Sequence, residues 1–200
     1  MTECTLTNIE LYLKSEFKKD VKIFTAGKDE QKIAKSLDEF VNNTELSPEV
    51  VQQKLSTFKK QNSLIDLQKY SIVKHGHSGH CTIFSDLYHD GRYSFILSYN
   101  SKPIGTISFC ANENAACVLQ IQGVKGQRYE LKPIKWERAL LSLVCDWVAE
   151  NGIPEIRVVP HHQQKWSGMI VNGKLLYDVT AKRSGFSYDK EKDIYTKTVP

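Results

Sequence analysis

Four side chains with metal-binding chemistry lie close together in the segment His75-Gly76-His77-Ser78-Gly79-His80-Cys81. Histidine and cysteine are ligands that zinc prefers in proteins. The spacing of these four residues does not match a common closed zinc site, and the two glycines between them make the segment flexible. We therefore expect a polar turn at this position, and we predict no metal ligand in the chain.

A second group, His161-His162-Gln163-Gln164, directly follows the apolar segment that ends at Val159-Pro160. An imidazole gains and loses its proton near neutral pH, so it suits a general base. His161 is the residue that we predict for this role, and an ordinary surface loop is the alternative interpretation. The sequence does not choose between a histidine and three carboxylates that would act through water, Asp178, Glu130 and Glu137.

Two lysines, Lys132 and Lys135, stand just before a long amphipathic pattern. The N-terminus of a helix attracts anions, and lysines beside it would strengthen a phosphate-binding site. Ordinary solvated lysines ahead of a helix are the simpler alternative. The cysteines show no pattern of an activating partner, so we do not predict a thiol nucleophile.

The composition limits the classes of protein to which the chain can belong. It has 200 residues, a net charge of +4 and 40% hydrophobic residues, which suits one domain with a substantial core. It contains no apolar run of roughly eighteen residues, so we expect no membrane span. Its lysines are dispersed, which argues against nucleic-acid binding. Its five cysteines are scattered, which predicts a reducing, cytoplasmic location.

The first part of the chain predicts helices. Apolar spacing indicates helices over Asn8 to Lys19 and Asp29 to Asn43, with a strand from Val21 to Ala26 between them. Ser47-Pro48-Glu49 is a strong helix start, and this helix is expected to run to about Lys60. We expect residues 1–20 to form a helical extension and residues 21–200 to form a single domain.

The later part of the chain predicts a sheet crossed by one long helix. Strands are expected over Tyr70 to Val73, Cys81 to Tyr88, Tyr93 to Tyr99, Ile104 to Cys110, and Val118 to Val124. A loop then leads into a helix from about Ile134 to Glu150, and a short strand from Glu155 to Val159 follows as a parallel crossover. The chain is expected to end in a helix over Lys174 to Ser184 and a closing hairpin.

This order of elements resembles the GNAT superfamily of acyl-CoA-dependent acyltransferases. The resemblance covers roughly Val21 to Thr198 and is strongest after Tyr93. The fold that it implies is α/β (α+β), with a mixed, mostly antiparallel central sheet that contains one splayed parallel strand pair and is flanked by helices. Four motifs carry the resemblance: Ser98-Tyr99-Asn100-Ser101-Lys102-Pro103-Ile104-Gly105, the strand Val118 to Val124, Arg138-Ala139-Leu140-Leu141, and the late helix Tyr177 to Phe186, which ends in Gly-Phe.

The resemblance implies acetyl-CoA as the acyl donor. The splay would fall between Val118–Val124 and Glu155–Val159, where unpaired backbone groups would bond the amide-rich arm of the donor. The helix N-terminus near Ile134–Glu137 would hold the pyrophosphate. The implied cofactor-binding residues are Gln122, Gly123, Val124, Lys132, Lys135 and Trp136.

The pyrophosphate loop departs from the family pattern, which is Arg or Gln, two residues, Gly, one residue, then Gly or Ala. Aligned on Arg138, this pattern falls on Lys132 to Glu137, so Lys135 and Glu137 occupy the two small positions. A side chain there limits how closely backbone can approach a phosphate, and Glu137 adds a repelling charge. The alternative cradle is Gly123 to Arg128, at the start of a longer loop.

The general acid also departs from the pattern. Many family members place a tyrosine four residues before the glycine of Gly-Phe, and Ala181 occupies that position here. Tyr177 lies one turn earlier on the same helix face and would reach the departing thiolate only if the helix is shifted. Anchoring the late helix to the core is the alternative role for Tyr177.

The function implied by the resemblance is transfer of an acyl group, in the simplest case acetyl, from acyl-CoA to an amine on a small molecule or peptide. Two alternatives remain. One is a binding or scaffolding module that has lost the chemistry, and the other is an acyltransferase that uses a larger donor such as a charged tRNA. A homodimer is a further open alternative.

Overall fold

The computed structural model describes residues 28–76, 82–84, 87–88, 90–164, 167–169 and 172–199. The predicted helix from Asn8 to Lys19 and the strand from Val21 to Ala26 lie outside these ranges, as does most of the His75–Cys81 segment. In the described ranges, no helix is long and apolar enough to cross a membrane. Within the same ranges, no group of three or more histidine, cysteine or acidic side chains is arranged to hold a metal ion.

Two amphipathic helices open the described chain, α1 (Lys28–Val41) and α2 (Pro48–Phe58). The predicted start of α2 is confirmed: the Ser47 hydroxyl accepts a hydrogen bond from the Val50 N–H at 3.4 Å. This bond satisfies one of the backbone donors that the first helical turn leaves unpaired. Burial of Phe40 in α1 and Leu55 in α2 then fixes both helices against the sheet.

The main sheet has seven strands in the order β1-β4-β5-β6-β7-β9-β8. Its first four members in chain order are β1 (Tyr70–Gly76), β4 (Tyr93–Tyr99), β5 (Lys102–Ala111) and β6 (Ala116–Gly123), which pair antiparallel. The last three are β7 (Glu155–Val158), β8 (Ser187–Asp189) and β9 (Ile194–Thr198). The strand predicted over Cys81 to Tyr88 is instead two short strands, β2 (Thr82–Phe84) and β3 (Leu87–Tyr88), which pair with each other.

The helices between the strands are α3 (Arg128–Leu131), α4 (Trp136–Glu150) and α5 (Thr180–Arg183). A 3-10 turn, Lys132–Ile134, joins α3 to α4, so most of the predicted loop before α4 is helical. This segment is helical because Leu131 and Ile134, three positions apart, are both buried and give its turns an apolar side that faces the core. A π-helical turn, Leu175–Val179, leads directly into α5.

The parallel crossover predicted around α4 is present: β6 and β7 are parallel, and the other pairs described in the main sheet are antiparallel. The fold class predicted from the sequence is therefore confirmed. Helix α4 presents its buried face, which includes Leu140, Val144 and Trp147, to the sheet.

Aromatic side chains form the centre of the core on the helix side of the sheet. Phe40 makes edge-to-face contacts with Phe95, Phe109 and Trp147 at centroid distances of 5.2 to 5.7 Å. Such pairs contribute about 0.5–1.5 kcal/mol each beyond the burial of apolar area. This cluster fixes α1 and α4 on the same face of the sheet, which sets the position of the α4 N-terminus beside β6.

Candidate active site

Strand β6 carries a β-bulge at Leu119. Its neighbour β5 pairs Ser108 with Gln120 but Phe109 with Val118, so Leu119 is the additional residue. A bulge bends the strand that contains it and increases the local twist. The second half of β6 is therefore directed away from the line of its first half.

The pairing of β6 with β7 ends at the same place. Its last matched residues are Val118 and Val158, followed by one further bond from the Val159 N–H to the Val118 carbonyl at 3.1 Å. Strand β6 then continues to Gly123, whereas the chain after β7 turns at Pro160 into a 3-10 turn, His161–Gln163. The two parallel strands thus diverge and leave a gap beyond Val118 and Val158, where the resemblance implied a splay.

The side chain of Tyr177 lies in this gap. Its hydroxyl accepts a hydrogen bond from the backbone N–H of Ile121 at 3.1 Å, and only 1% of the residue is exposed. Burial raises the pKa of Tyr177 to about 12, against the opposing effect of the Ile121 N–H bond. The phenol consequently retains its proton at neutral pH.

The π-helical turn explains how Tyr177 reaches β6. Tyr177 is the central residue of the π-helical turn Leu175–Val179. A π-helical turn is wider than an α-helical turn because its hydrogen bonds span one more residue. The wider turn rotates the preceding residues relative to α5, which is the kind of helix shift that the sequence analysis required. Turns of this kind occur often at functional sites.

His161 packs against the other side of the tyrosine. The two rings are stacked with centroids 6.5 Å apart, and a Cβ added to Gly173 would lie 2.2 Å from the imidazole. The His161 Nδ1 atom is buried and, among the described residues, has no hydrogen-bond partner. Tyr177, His161 and Gly173 together close the inner end of the gap.

The N-terminus of α4 lies beyond the end of β6. The residue before the helix, Lys135, has φ 42° and ψ 50°, which is the left-handed conformation that favours glycine. Its carbonyl accepts bonds from the N–H groups of Arg138 and Ala139. The position that the family pattern fills with glycine thus keeps a glycine-like backbone, while the Lys135 side chain is exposed.

Glu137 places a carboxylate in the first turn of α4, where it accepts a bond from its own backbone N–H. Burial raises the pKa of Glu137, and this effect outweighs that backbone bond and the attraction of three nearby cations, Lys60, Arg138 and Arg183. The sequence analysis did not assign these cations to the site. Two of them come from other elements, so only the tertiary arrangement brings them to Glu137.

Arg138 ties three elements together at this position. Its guanidinium lies over the ring of Phe58, 5.4 Å from the centroid, and donates to the carbonyl of Arg183 at 3.2 Å. The contact joins the end of α2, the start of α4 and the end of α5. The start of α4 is therefore held rigidly, as an anion-binding site requires.

Trp136 and Gly123, which were predicted as cofactor-binding residues, contact each other. A Cβ on Gly123 would lie 3.1 Å from the indole, and a Cβ on its strand partner Gly105 would lie at the same distance. The two glycines form a flat floor for the Trp136 ring, which is only 5% exposed. The Trp136 side chain therefore belongs to the core, and its backbone is the part that faces the helix N-terminus.

The remaining predicted residues lie around the same end of the sheet. Gln122 accepts a side-chain bond from Gln120 at 3.0 Å, and the Val124 N–H donates to the Ile104 carbonyl at 2.8 Å. Val124 is buried against Leu87 and Ile96, whereas Lys132 is exposed.

A cavity of about 330 Å³ lies on the helix face, between α2, α4 and the edge of the sheet, and not at the gap. Its charged lining side chains contact other charged groups: Lys54 bonds Asp146, and Lys74 bonds Glu39. Trp147 and Phe95 form its apolar base. The gap that holds Tyr177 and the N-terminus of α4 are therefore separate from this cavity.

No family model matches the chain, and no curated protein sequence is significantly similar to it. Solved structures do match. The GNAT-family N-acetyltransferase YhbS of Escherichia coli, solved with CoA, has a TM-score of 0.38 and 10% identity over 54% of this chain and 59% of its own. Ard1 of Thermoplasma volcanium has a TM-score of 0.37 and 11% identity over 78% of this chain and 95% of its own.

The ribosomal-protein-S18-alanine N-acetyltransferase of Escherichia coli has a TM-score of 0.36 and 14% identity over 53% of this chain and 68% of its own. The three likenesses concern the fold, at 10 to 14% sequence identity.

Proposed function

We propose that this protein transfers an acyl group, in the simplest case acetyl, from acetyl-CoA to an amine on a small molecule or peptide. The observation that carries the proposal is the divergence of β6 and β7 at the Leu119 bulge, which places the Ile121 N–H in a gap beside a protonated tyrosine. Beyond Val118 strand β6 has lost its β7 partner, so its backbone groups there suit the amide-rich arm of acetyl-CoA, while the Ile121 N–H holds the Tyr177 hydroxyl.

The N-terminus of α4 is the proposed site for the pyrophosphate of acetyl-CoA. The exposed side chains of Lys132 and Lys135 and the cations Lys60, Arg138 and Arg183 supply positive charge there. The left-handed backbone at Lys135 supports a close approach of the phosphate, while the Glu137 carboxylate opposes it. The cations outnumber the single acid, so the residues present fit a phosphorylated ligand.

Two side chains carry the proton transfers in this proposal. In it Tyr177, whose phenol is protonated at neutral pH, donates its hydroxyl proton to the departing thiolate. The histidine turn after β7, where the sequence predicted His161, accepts the proton that the amine must lose. Acetyl-CoA supplies the activated acyl group, and the protein supplies orientation and proton transfer. We place the reaction in the cytoplasm, as the scattered cysteines predict.

A specific observation favours a second candidate, a module that keeps the fold and binds a partner without acyl transfer. The Glu137 carboxylate already accepts a backbone hydrogen bond in the first turn of α4, and the Tyr177 hydroxyl already accepts the hydrogen bond of the Ile121 N–H. In this case Glu137 takes the place of the pyrophosphate, and Tyr177 takes the place of the amide-rich arm of acetyl-CoA.

Thermal unfolding with and without acetyl-CoA separates the two candidates. A ligand at a hundred times its dissociation constant stabilises a protein by roughly 2.7 kcal/mol. We expect a stabilising shift that is lost in Lys132→Ala plus Lys135→Ala but kept in the charge-matched control Lys35→Ala plus Lys190→Ala. No shift at millimolar acetyl-CoA would reject the transferase.

A further inference from the structure

The two adjacent histidines of the turn after β7 have different surroundings. His161 is half-buried against Tyr177, whereas the His162 side chain is 57% exposed and contacts Asp193. We propose that His162, oriented by Asp193, is the general base that takes the proton from the acceptor amine. This inference rests on the proposed acyl transfer and assigns the base to a residue that the sequence analysis did not select.

The contact between His162 and Asp193 has the geometry of a hydrogen bond. His162 Nε2 lies 2.8 Å from Asp193 Oδ2, although the two residues are 31 positions apart in the chain. Asp193 lies at the turn between β8 and β9, where its φ of 53° places it in the left-handed region. The folding of the closing hairpin is therefore what brings the carboxylate to the histidine.

Further bonds hold Asp193 in place. The Tyr188 hydroxyl donates to Asp193 Oδ1, and Gln163 Nε2 donates to the Asp193 carbonyl at 2.6 Å. Burial would raise the pKa of Asp193, but the bonds from Tyr188, His162 and Gln163 lower it overall. The carboxylate is thus ionised at neutral pH. Tyr188 of the hairpin and His162 of the histidine turn both hold it by hydrogen bonds.

An ionised carboxylate on one imidazole nitrogen determines what the other nitrogen does. Because a carboxylate only accepts, a neutral His162 bonded to it carries its proton on Nε2, which leaves Nδ1 as a proton acceptor. In hydrolases on unrelated folds a carboxylate likewise orients an imidazole base, although there it bonds Nδ1 and the base nitrogen is Nε2. Among the described residues, ionisable groups near this cluster include Tyr188 on β8, Tyr195, whose ring centroid lies 5.1 Å from that of Tyr188, and Asp178, which contributes to the raised pKa of Tyr188.

His161 lacks these advantages. Its Nδ1 is buried, its ring is stacked on Tyr177, and Gly173 packs against its edge. The His162 side chain is open to an ammonium group arriving from solvent, whereas the His161 ring is enclosed. His161 is better placed to position Tyr177, the proposed acid.

The proposed reaction balances in bonds and in protons. The substrate ammonium gives one proton to His162 Nδ1 and becomes a neutral amine. The amine nitrogen attacks the thioester carbonyl, so that a C–N bond forms as the C–S bond breaks. The sulfur takes the Tyr177 hydroxyl proton, the second nitrogen proton restores the tyrosine, and the imidazolium releases its proton to solvent.

The first experiment measures release of free thiol from acetyl-CoA, with spermidine and a lysine-rich peptide as amine acceptors. We expect His162→Gln to lower kcat by roughly 100-fold or more and to remove the acidic limb of the pH–rate profile. Asp193→Asn should have a smaller effect of the same kind. His75→Gln, a histidine on the far edge strand that contacts Asn43, is the matched control and should leave the rate unchanged.

The second experiment needs no acceptor. Diethyl pyrocarbonate acylates accessible, unprotonated imidazole nitrogens, and peptide mass mapping identifies the modified residue. We expect His162 to react faster than His75 and His161, and Asp193→Asn to slow it. A wild-type protein that turns over while His162→Gln retains full rate would overturn the inference, as would slow labelling of His162. A wild-type protein without turnover or acetyl-CoA binding would overturn the proposed function instead.

Discussion

The hydroxyl of Tyr177 accepts a hydrogen bond from the backbone N–H of Ile121, at a distance of 3.1 Å. Ile121 follows the bulge at Leu119, where β6 has already lost its pairing with β7. The tyrosine therefore takes the place of a strand partner for a buried donor. The same contact brings a protonated phenol to the point where the two strands diverge.

Replacing Tyr177 by phenylalanine tests this contact directly. The variant keeps the ring but leaves the Ile121 N–H buried without an acceptor, and an unsatisfied buried donor costs about 1–3 kcal/mol. We expect the free energy of unfolding, measured with urea, to fall by that amount, and turnover to fall with it. Tyr129→Phe is the control, because Tyr129 is 87% exposed. Unchanged turnover in Tyr177→Phe would remove the tyrosine from catalysis.

Gly173→Ala tests the packing of the histidine beside that tyrosine. The new methyl group would lie 2.2 Å from the His161 ring, so the ring must move. Overpacking of this kind costs about 1–3 kcal/mol. In a double-mutant cycle with His161→Ala, most of that cost should disappear. The control is Gly168→Ala, where a Cβ meets no atom within 4 Å, and equal losses in both variants would contradict the close contact.

Lys135→Gly tests the backbone conformation before α4. A left-handed backbone costs a non-glycine residue about 1–2 kcal/mol, so glycine should leave stability unchanged or raise it by up to about 1 kcal/mol. Lys132→Gly is the matched control, because Lys132 has φ −58° and ψ −36° and should lose about 1 kcal/mol. Equal effects at both positions, measured by thermal unfolding, would contradict the assigned conformation.

Glu137→Gln tests the carboxylate at the start of α4 through its pH dependence. Burial raises the pKa of Glu137 in the folded protein, so the folded state favours the protonated form. Its contribution to stability is present below the unfolded pKa and is lost as pH rises through the folded pKa. We expect Glu137→Gln to stabilise the protein more at pH 7 than at pH 4, as measured by urea unfolding at both values.

The same substitution should strengthen binding of acetyl-CoA. Removing one negative charge from a helix N-terminus is worth about 0.3–1 kcal/mol to an anion there, which corresponds to a twofold to fivefold lower dissociation constant. Isothermal titration of the variant and the wild-type protein measures this change. Weaker binding in Glu137→Gln would show that the pyrophosphate does not lie at the N-terminus of α4.

The sequence predicted the scaffold because local patterns determine it. The cap at Ser47, the stripe of apolar residues along α4 and the turn at Gly185 each have a direct physical signature, and all three are found where they were expected. The parallel crossover followed from the order of elements. The region from Cys81 to Tyr88 was predicted as one strand because its apolar residues do not show that Thr82–Phe84 and Leu87–Tyr88 are two strands that pair with each other.

What the sequence alone determined is therefore the fold class and the order of its elements. The tertiary structure decided which side chains of these elements meet, because each decisive contact joins distant parts of the chain. Tyr177 reaches Ile121 through a π-helical turn, and Asp193 reaches His162 through the closing hairpin. The periodicity of apolar residues predicts which side of a helix or strand is buried. It does not predict which distant residue that side will contact.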